Sequence, residues 1–211
     1  MKDIILIDKP KGITSFDCIR ILRKKLGIRK MGHAGTLDPL ATGLMIIGIG
    51  PGTKKLNEYL KLDKTYGTTV LVGVSTDTGD IDGKVLKEEV FDLDDKGIKE
   101  ALDKLVGKNI LSVPKYSAIK KNGKPLYYYA RNDIDVEIPE KEMEVYDIRD
   151  VSYYKPYIKF TVDVSSGTYI RSLVEELGKK LKVPLTLSDL RRTKIGEFDI
   201  KNSKDHLLGD L

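Results

Sequence analysis

The chain has 211 residues, of which 37 are Lys or Arg and 32 are Asp or Glu, and its formal net charge is +5. The single cysteine, Cys18, excludes an intramolecular disulfide and any zinc or iron–sulfur centre built from several thiolates. No apolar run reaches the roughly 20 residues that a membrane-spanning helix needs, and the first apolar stretch is too short for a signal peptide. We therefore expect one globular domain, 1–211, in the cytoplasm, with no metal and no membrane contact.

The hydrophobic pattern of the first hundred residues predicts short strands and helices in alternation. Apolar residues recur at helical spacing up to Leu26, so we expect a helix that Ser15 caps and Gly27 ends. Residues 28–43 contain several glycines and predict a loop. Strands are expected at 3–8, 44–49, 64–74 and 84–91, a turn at 75–83, and further helices capped by Thr53 and by Asp94, the last ending at Gly107.

The second half contains a segment that differs from the rest. Residues 108–138 are basic and rich in tyrosine, Asn122-Gly123 is typical of a two-residue hairpin turn, and Pro125 favours a short helix after it. We predict an insertion beyond the core sheet there. The pattern then predicts strands at 141–154 and 157–165, a helix at 169–181, a last strand at 190–198 and a short tail at 203–211. Strands in close succession favour a mixed, mainly antiparallel central sheet flanked by helices, an α+β fold.

Charge is unevenly distributed along the chain. Residues 1–63 carry a net charge of +6, residues 64–150 of −4 and residues 151–211 of +3. Residues 77–103 hold 10 acidic and 4 basic side chains, whereas residues 108–131 hold 6 basic side chains and no acidic one. A basic face with interleaved tyrosines is typical of nucleic-acid binding. A surface that only maintains solubility has the same composition.

The densest motif is residues 32–43, which contain three glycines. Glycine lets the backbone adopt positive φ and approach another group closely. Asp38 precedes Pro39, which disfavours a helical conformation at Asp38. A carboxylate fixed on such a loop can act as a nucleophile, a base or a ligand. The alternative is that Asp38 is the N-cap of a helix whose first residue is Pro39.

Two further segments carry polar side chains suited to chemistry. Arg171 lies in the first turn of a predicted helix, where its charge opposes the helix dipole. Pairing with a carboxylate in a cleft would explain this position, and so would a surface arginine whose stem alone is buried. Tyr66 stands at the start of a strand, where it can stack on a base or move a proton, or be an ordinary core or rim tyrosine.

Other catalytic motifs are missing from the sequence. The glycines of residues 48–54 lack the spacing of a phosphate loop or a dinucleotide-binding turn. This spacing argues against a phosphate-loop nucleotide enzyme. The sequence has no Gly-x-Ser-x-Gly elbow and no His pair at metal-ligand spacing, so His33 is expected to make a hydrogen bond or a contact.

Taken together, six segments resemble, in order, the motifs of the TruB family of pseudouridine synthases, the tRNA pseudouridine-55 synthases. They extend over roughly residues 7–198, nearly the whole chain. The matching segments are 9–15, 32–43, 64–66 with the turn that follows to Gly83, 114–120 with Ala130-Arg131, 167–171 and 190–193.

The resemblance implies the pseudouridine-synthase fold and assigns roles to single residues. Asp38 would be the nucleophile that starts isomerisation, Tyr66 would stack on the flipped base, and Arg171 would form an ion pair with Asp38. His33 would lie against the RNA loop and help to hold it open. The insertion, about 115–138, would grip the RNA. The substrate-binding residues expected from the matching segments are His33, Tyr169, Lys9, Arg191 and Arg192. Charge and hairpin context add the insertion cations Lys120, Lys121, Lys124 and Arg131.

The reaction of this family rearranges a nucleotide without net gain of atoms or electrons, so the resemblance implies no cofactor. The partner would be tRNA, bound at its T-loop and stem with the uridine flipped out of its stack. We expect a monomer that has no obligate protein partner and lacks the small C-terminal RNA-binding module of bacterial members. The competing hypothesis is a non-catalytic RNA-binding or RNA-folding protein on the same fold, which would not need Asp38, Tyr66 and Arg171 together.

Overall fold

The computed structural model describes residues 3–204, so the expected tail beyond Lys204 lies outside the described residues. They form an α+β fold with a mixed, mostly antiparallel central sheet, as predicted. The strands are β1 (Ile4–Lys9), β2 (Met31–His33), β3 (Thr42–Ile49), β4 (Lys64–Val72), β5 (Val74–Thr76), β6 (Val85–Glu88), β7 (Gly107–Ser112), β8 (Lys120–Lys121), β9 (Lys124–Pro125), β10 (Glu140–Tyr154), β11 (Tyr157–Val164), β12 (Leu185–Ile195) and β13 (Phe198–Asp199). The helices are α1 (Ser15–Leu26), α2 (Leu56–Leu60), α3 (Asp95–Asp103), α4 (Leu126–Arg131) and α5 (Ile170–Leu181), with 3-10 helices at Gly50–Lys55 and Ile200–Asn202.

The chain divides into two compact units. Among the described residues, the first unit comprises 3–68, 161–166 and 189–204, and the second comprises 69–160 and 167–188. The strand order is β1-β3-β12-β4-β11 in the first unit and β4-β11-β10-β7 in the second. In the first unit β1 and β2 both run antiparallel to β3, whereas β12 runs parallel to it. In the second unit β10 and β7 are antiparallel.

Helix α1 in the first unit is determined by signals at both of its ends. Thr14 is the N-cap, because its Oγ1 accepts the N–H of Asp17 at 3.1 Å while Asp17 Oδ2 accepts the N–H of Thr14 at 2.8 Å. The Thr14 hydroxyl also donates to Asp17 Oδ2 at 2.6 Å. This bond, the bond from the Thr14 N–H and the pairing with Arg20 lower the pKa of Asp17 to about 2. Gly27 ends the helix with φ +68. The buried positions follow helical spacing and are Ser15, Cys18, Ile19 and Leu22.

Strand β3 is the most deeply buried element of the first unit. Residues 44–47 have no exposed surface. Since side chains alternate along a strand, Leu44 and Ile46 share one face, and both pack into a cluster with Ala34 and Ile195. The loop that precedes β3 is therefore attached to a rigid strand.

The segment from 107 to 138 in the second unit is partly core and partly insertion. Residues 107–112 form β7, with Gly107 opposite Val145 on β10. The prediction that a segment beyond the sheet begins at 108 is therefore wrong for its first residues. Leu111 is the one buried residue of this strand, so the sequence alternation was too weak to indicate a strand.

The hairpin predicted within the insertion is confirmed. Strands β8 and β9 pair across Asn122-Gly123, whose φ values are +50 and +80. Positive φ at both central residues is the geometry of a type I′ turn, which suits the twist of a two-stranded hairpin. Helix α4 follows at once, with Pro125 as its N-cap residue.

Several predicted element ends differ from the structure. The hydroxyl of Thr53 donates to the carbonyl of Gly50 at 2.8 Å within a 3-10 helix and does not cap α2. Asp94 caps α3 as expected, but this helix ends at Asp103. Strand β2 lies in the predicted loop, and β12 begins five residues before the predicted position. In each case a long-range pairing or a tight turn overrides the local pattern.

Replacing Thr14 with Ala tests the N-cap of α1. The change removes the acceptor for the Asp17 N–H and should lower the free energy of unfolding by about 1 kcal/mol. Thr14→Ser retains the hydroxyl and should unfold at nearly the wild-type denaturant concentration. Urea titration of the three proteins at pH 7 measures this difference. Equal stability of the Ala and wild-type proteins would contradict the assigned cap.

Candidate active site

Asp38 lies half-buried on the loop that connects β2 to β3 in the first unit. The N–H of Ala41 donates to the carbonyl of Asp38 at 3.0 Å, which closes a tight turn. No helix follows Pro39, because the chain enters β3 at Thr42. The alternative in which Asp38 is a helix N-cap is therefore wrong, and its carboxylate is held on a loop.

The backbone on both sides of Asp38 is fixed by neighbouring segments. The Ser15 hydroxyl, buried at the start of α1, accepts the N–H of Leu37 at 2.9 Å and lies 3.0 Å from the carbonyl of the same residue. On the other side, the carbonyl of Pro39 accepts the N–H of Gly12 at 2.8 Å. The residues immediately before and after Asp38 therefore have little freedom to move.

Lys9 is a buried cation at the end of β1, with no exposed surface. Its Nζ donates to the carbonyls of Pro10 at 2.9 Å and Pro39 at 3.3 Å. Burial lowers the pKa of Lys9, and interactions with the nearby Cys18 thiol and Asp38 carboxylate oppose this shift. The ammonium thus contacts the loop directly beneath the candidate nucleophile.

Arg192 on β12 is a second buried cation, and its side chain is 1% exposed. Its Nε donates to the carbonyl of Leu44 at 2.8 Å, and its Nη2 donates to the carbonyl of Gly35 at 3.1 Å. Gly43 has φ +110, and a Cβ there would lie 2.3 Å from the carbonyl oxygen of Arg192. A glycine is required at 43 because the β12 backbone passes so close to it.

Arg191, the neighbour of Arg192, contacts a different set of groups. Its Nη1 donates to Asp8 Oδ1 at 3.1 Å and to Thr42 Oγ1 at 3.3 Å, and its Nη2 also pairs with Asp8. The side chain is 43% exposed. This guanidinium joins β1, β3 and β12 while part of it still faces solvent.

His33 ends β2 and is half-buried, and its Nδ1 has no hydrogen-bond partner among residues 3–204. Burial lowers the pKa of His33, and the positive charge of Arg192 acts in the same direction. The imidazole is therefore neutral at physiological pH. A neutral ring can contact a nucleobase without the cost of burying a charge.

Tyr66 lies on the buried face of β4, with 8% of its surface exposed. Lys64, two residues earlier on the same face, donates from Nζ to the carbonyls of Leu60 at 2.6 Å and Leu62 at 2.5 Å. These bonds fix the start of the strand and hence the position of the tyrosine. The low exposure is compatible with a core tyrosine and with one that stacks on a base.

Arg171 belongs to the second unit, in the first turn of α5, and is 7% exposed. Its Nη1 donates to the carbonyl of Thr78 at 3.0 Å and its Nη2 to the carbonyl of Tyr116 at 3.0 Å, while its Nε lies 3.9 Å from Asp80 Oδ2. The interpretation of Arg171 as a surface arginine is therefore wrong. Its predicted pairing with Asp38, in the other unit, stays a prediction.

Tyr169 immediately precedes α5 and is half-buried. Its N–H donates to the sulfur of Met143 at 3.5 Å. Nearby, Lys141 donates from Nζ to the carbonyl of Gly167 at 2.9 Å. Two side chains of β10 therefore position the segment that leads into Arg171.

The predicted RNA-gripping residues lie around the hairpin and α4. Lys124 Nζ is 3.1 Å from the hydroxyl of Tyr128 and lies over its ring, and Lys121 pairs with Glu137 at 2.9 Å. Arg131 lies over the ring of Tyr127, with 5.4 Å between Cζ and the ring centroid. Lys120 is exposed. The insertion therefore presents cations beside aromatic rings.

A cavity of about 890 Å³ lies beneath the insertion in the second unit. Its lining includes Arg171, Thr78, Tyr116, Leu126 and Ile134. The cavity is large enough for more than one nucleobase. Its wall combines apolar side chains with the cations Arg171 and Lys115 and the carboxylates of Asp77, Asp133, Asp135 and Glu175.

Sequence reasoning missed the side chains that hold the site from beneath. Ser15 was expected to cap α1, yet its hydroxyl holds Leu37. Asp80 was part of a turn motif, yet it is buried beside Arg171. Neither contact has a local sequence signal, because the partners lie 22 and 91 positions away along the chain.

Two features are absent from the described residues. Within residues 3–204 there is no group of three or more His, Cys, Asp or Glu side chains placed to hold a metal ion. No helix in that range is long and apolar enough to cross a membrane.

Comparison with known proteins relates this geometry to one family. Residues 23–170 match the family model described as TruB family pseudouridylate synthase (N terminal domain). The tRNA pseudouridine synthase B of Caldicellulosiruptor saccharolyticus is 48% identical over 95% of this chain and 70% of its own length. That of Endomicrobium trichonymphae is 42% identical over 95% of this chain and 87% of its own.

Two solved structures share the fold. A chain of a Cbf5-Nop10-Gar1 complex superimposes with a TM-score of 0.72 at 27% identity, over 93% of this chain and 49% of that one. A chain of an H/ACA RNP bound to a substrate RNA containing 2′-deoxyuridine gives a TM-score of 0.70 at 25% identity, over 93% and 48%. This chain therefore spans about half the length of those solved chains.

The neutral state of His33 can be measured directly by NMR titration. A His206→Asn variant leaves His33 as the one remaining histidine. Because burial disfavours the protonated ring, its titration midpoint in the folded protein should lie below the 6.5 of an unperturbed histidine. The same variant in denaturant should titrate near 6.5. A folded-state midpoint at or above the denatured value would contradict the assignment.

Proposed function

The chain belongs to the TruB family of pseudouridylate synthases, and on this premise we propose that it converts the T-loop uridine of tRNA, position 55, to pseudouridine with Asp38 as the nucleophile. The observation that carries this proposal is the loop around Asp38. A half-buried carboxylate stands between two backbone segments that are fixed on both sides. Such preorganisation is what a nucleophile needs to meet its target in one geometry.

The chemistry requires few protein groups. The N1–C1′ bond of uridine breaks, the base turns, and C5 bonds to C1′, after which the proton on C5 is released and N1 carries one instead. No electron is gained or lost, so the proposed reaction uses no cofactor. Asp38 would attack either the sugar or the base.

Tyr66 and Arg171 are proposed to support Asp38. A tyrosine with its ring on the buried face of β4 is suited to stack on a flipped uracil. An arginine can orient a carboxylate through two parallel hydrogen bonds, which a point charge cannot do. His33 is neutral and half-buried at the end of β2. It is proposed to contact the RNA loop from which the target uridine has flipped out.

The insertion is proposed to grip the RNA. Lys120, Lys124 and Arg131 are exposed, and the last two lie over tyrosine rings, whereas Lys121 pairs with Glu137. Residues 108–131 contain no acidic side chain. Phosphate contacts give affinity without sequence preference, while splayed loop bases and loop shape give selectivity. Arg191 is partly exposed and fits a phosphate contact. Lys9 and Arg192 are buried and occupied by carbonyls, so they fit a role beneath the loop.

The chain is proposed to act on tRNA as a monomer in the cytoplasm, without an obligate protein partner. The similar bacterial proteins are named tRNA pseudouridine synthase B, which supports tRNA as the substrate. The solved chain of the Cbf5-Nop10-Gar1 complex, in contrast, is seen together with Nop10 and Gar1. The competing function, a non-catalytic RNA-binding or RNA-folding protein, makes a different prediction for Asp38.

Asp38→Asn separates the two functions. The change keeps side-chain volume but removes the charge and the nucleophile, so pseudouridine formation should fall by about 10³-fold or more. Binding should largely survive, because it depends on many phosphate and stacking contacts. Pseudouridine yield and tRNA affinity are measured on the same folded preparation.

Asp3→Asn is the matched control, since Asp3 is an exposed carboxylate of the same unit. It should convert uridine at the wild-type rate. If the Asp38 variant also does so, Asp38 is structural and the non-catalytic RNA-binding alternative is favoured.

Neutralising Lys120, Lys121, Lys124 and Arg131 to Gln together tests the insertion. Each lost phosphate contact should reduce the slope of log affinity against log salt by roughly 0.7–0.9. Binding should weaken most at low salt, with little change in stability. The matched control neutralises four exposed lysines elsewhere in the second unit: Lys87, Lys96, Lys99 and Lys104. Equal slopes for the two variants would mean that the insertion does not grip the RNA.

A further inference from the structure

Arg192 is buried under the loop that carries Asp38, and the steps proposed above do not use it. Its guanidinium donates to the carbonyls of Leu44 and Gly35, at 2.8 and 3.1 Å. These two residues flank residues 36–43 on either side. One side chain therefore ties together both ends of the loop that carries the carboxylate.

The backbone around Arg192 is built to accommodate this contact. Arg192 lies opposite Gly43 in the parallel pairing of β12 with β3. Gly35 has φ +86, and a Cβ at that position would lie 3.4 Å from Nη1 of Arg192. Two glycines of the loop motif thus lie where the arginine and its backbone approach most closely.

Direct contact between Arg192 and RNA does not fit this environment. The side chain is 1% exposed, and two of its nitrogen atoms already donate to carbonyls. A phosphate would have to displace those carbonyls and leave them unsatisfied in the interior, which is costly. The side chain of the neighbouring Arg191 is 43% exposed, so part of it faces solvent and is accessible to RNA.

We propose that Arg192 is a positioning residue, which sets the place of the Asp38 carboxylate by holding the carbonyls of Gly35 and Leu44 and makes no contact with RNA. This inference rests on the proposed function of Asp38. The planar guanidinium offers five N–H donors in a rigid fork, so it can hold two separated carbonyls at once. A lysine at this position has one ammonium and cannot hold both in the same geometry.

Arg192→Lys tests the proposal because it keeps the charge and removes the fork. Displacement of the carboxylate by about 1 Å is enough to cost up to about 10²-fold in rate, so single-turnover pseudouridine formation should fall at least about tenfold. The Kd for tRNA should stay within about twofold. Lys194→Gln is the control, because Lys194 lies exposed on the same strand and no step is assigned to it.

Two kinetic outcomes would overturn the proposal. A folded Arg192→Lys protein with the wild-type single-turnover rate would mean that the fork does not position Asp38. A raised Kd with an unchanged rate at saturating tRNA would make Arg192 an RNA contact.

If Arg192→Lys does not fold, the Gly35→Ala variant provides the test, since it keeps every charge and disturbs one of the two carbonyls that Arg192 holds. It should lower the rate without changing the Kd, and an unchanged rate would overturn the proposal.

Hydrogen exchange provides a measure that does not depend on activity. The amide of Leu37 donates to the Ser15 hydroxyl of α1, and the amide of Ala41 donates to the Asp38 carbonyl within the loop. In Arg192→Lys, the peptide covering residues 34–42 should exchange faster, while the peptide covering α3 should not change. Unchanged exchange in the loop overturns the role of Arg192. Absence of pseudouridine with the wild-type chain would overturn the proposed function alone.

Discussion

The immobilisation of one short loop is the constraint on which the candidate site depends. The loop carries Asp38 between β2 and β3, and three side chains hold its backbone: Lys9 from β1, Ser15 from α1 and Arg192 from β12. All three are almost fully buried. Their donors are used in hydrogen bonds to backbone carbonyls, which explains why two cations are tolerated in the interior.

This arrangement explains several features of the sequence together. Gly43 is needed because a side chain there would collide with the Arg192 backbone. Thr14 is the N-cap of α1 and directly precedes Ser15. Capping the helix therefore also fixes the position of the Ser15 hydroxyl, which holds Leu37. The neutral state of His33 follows from the same burial and from the nearby guanidinium. Fold and site are therefore joined through a small group of polar contacts in the first unit.

The second unit contributes a different kind of support. Arg171 holds the carbonyls of Thr78 and Tyr116, one from the turn after β5 and one from the root of the insertion. The insertion itself is a hairpin and a short helix with cations beside tyrosine rings. The proposed enzyme would thus have its nucleophile on one rigid loop and its RNA grip on a separate structural element.

Local signals in the sequence were enough to predict helix α1, the two-residue hairpin and a loop around Asp38, although the N-cap of α1 is Thr14 and not the predicted Ser15. Each depends on residues close together in the chain: a cap, an Asn-Gly pair, glycines and a proline. The burial of Lys9 and Arg192 was not predictable, because their carbonyl partners lie up to 157 positions away. Strand β7 was missed since one of its six side chains is buried. The family resemblance located Asp38 but gave no indication of what holds it.

The most direct test of this account is a map of pseudouridine at single-nucleotide resolution in unmodified tRNA incubated with the purified chain. If the proposed function is correct, pseudouridine forms at position 55 of the T loop without any added cofactor. The same tRNA with cytidine at position 55 should contain no pseudouridine. Absence of pseudouridine in tRNA that the protein binds, or modification at another position, would contradict it.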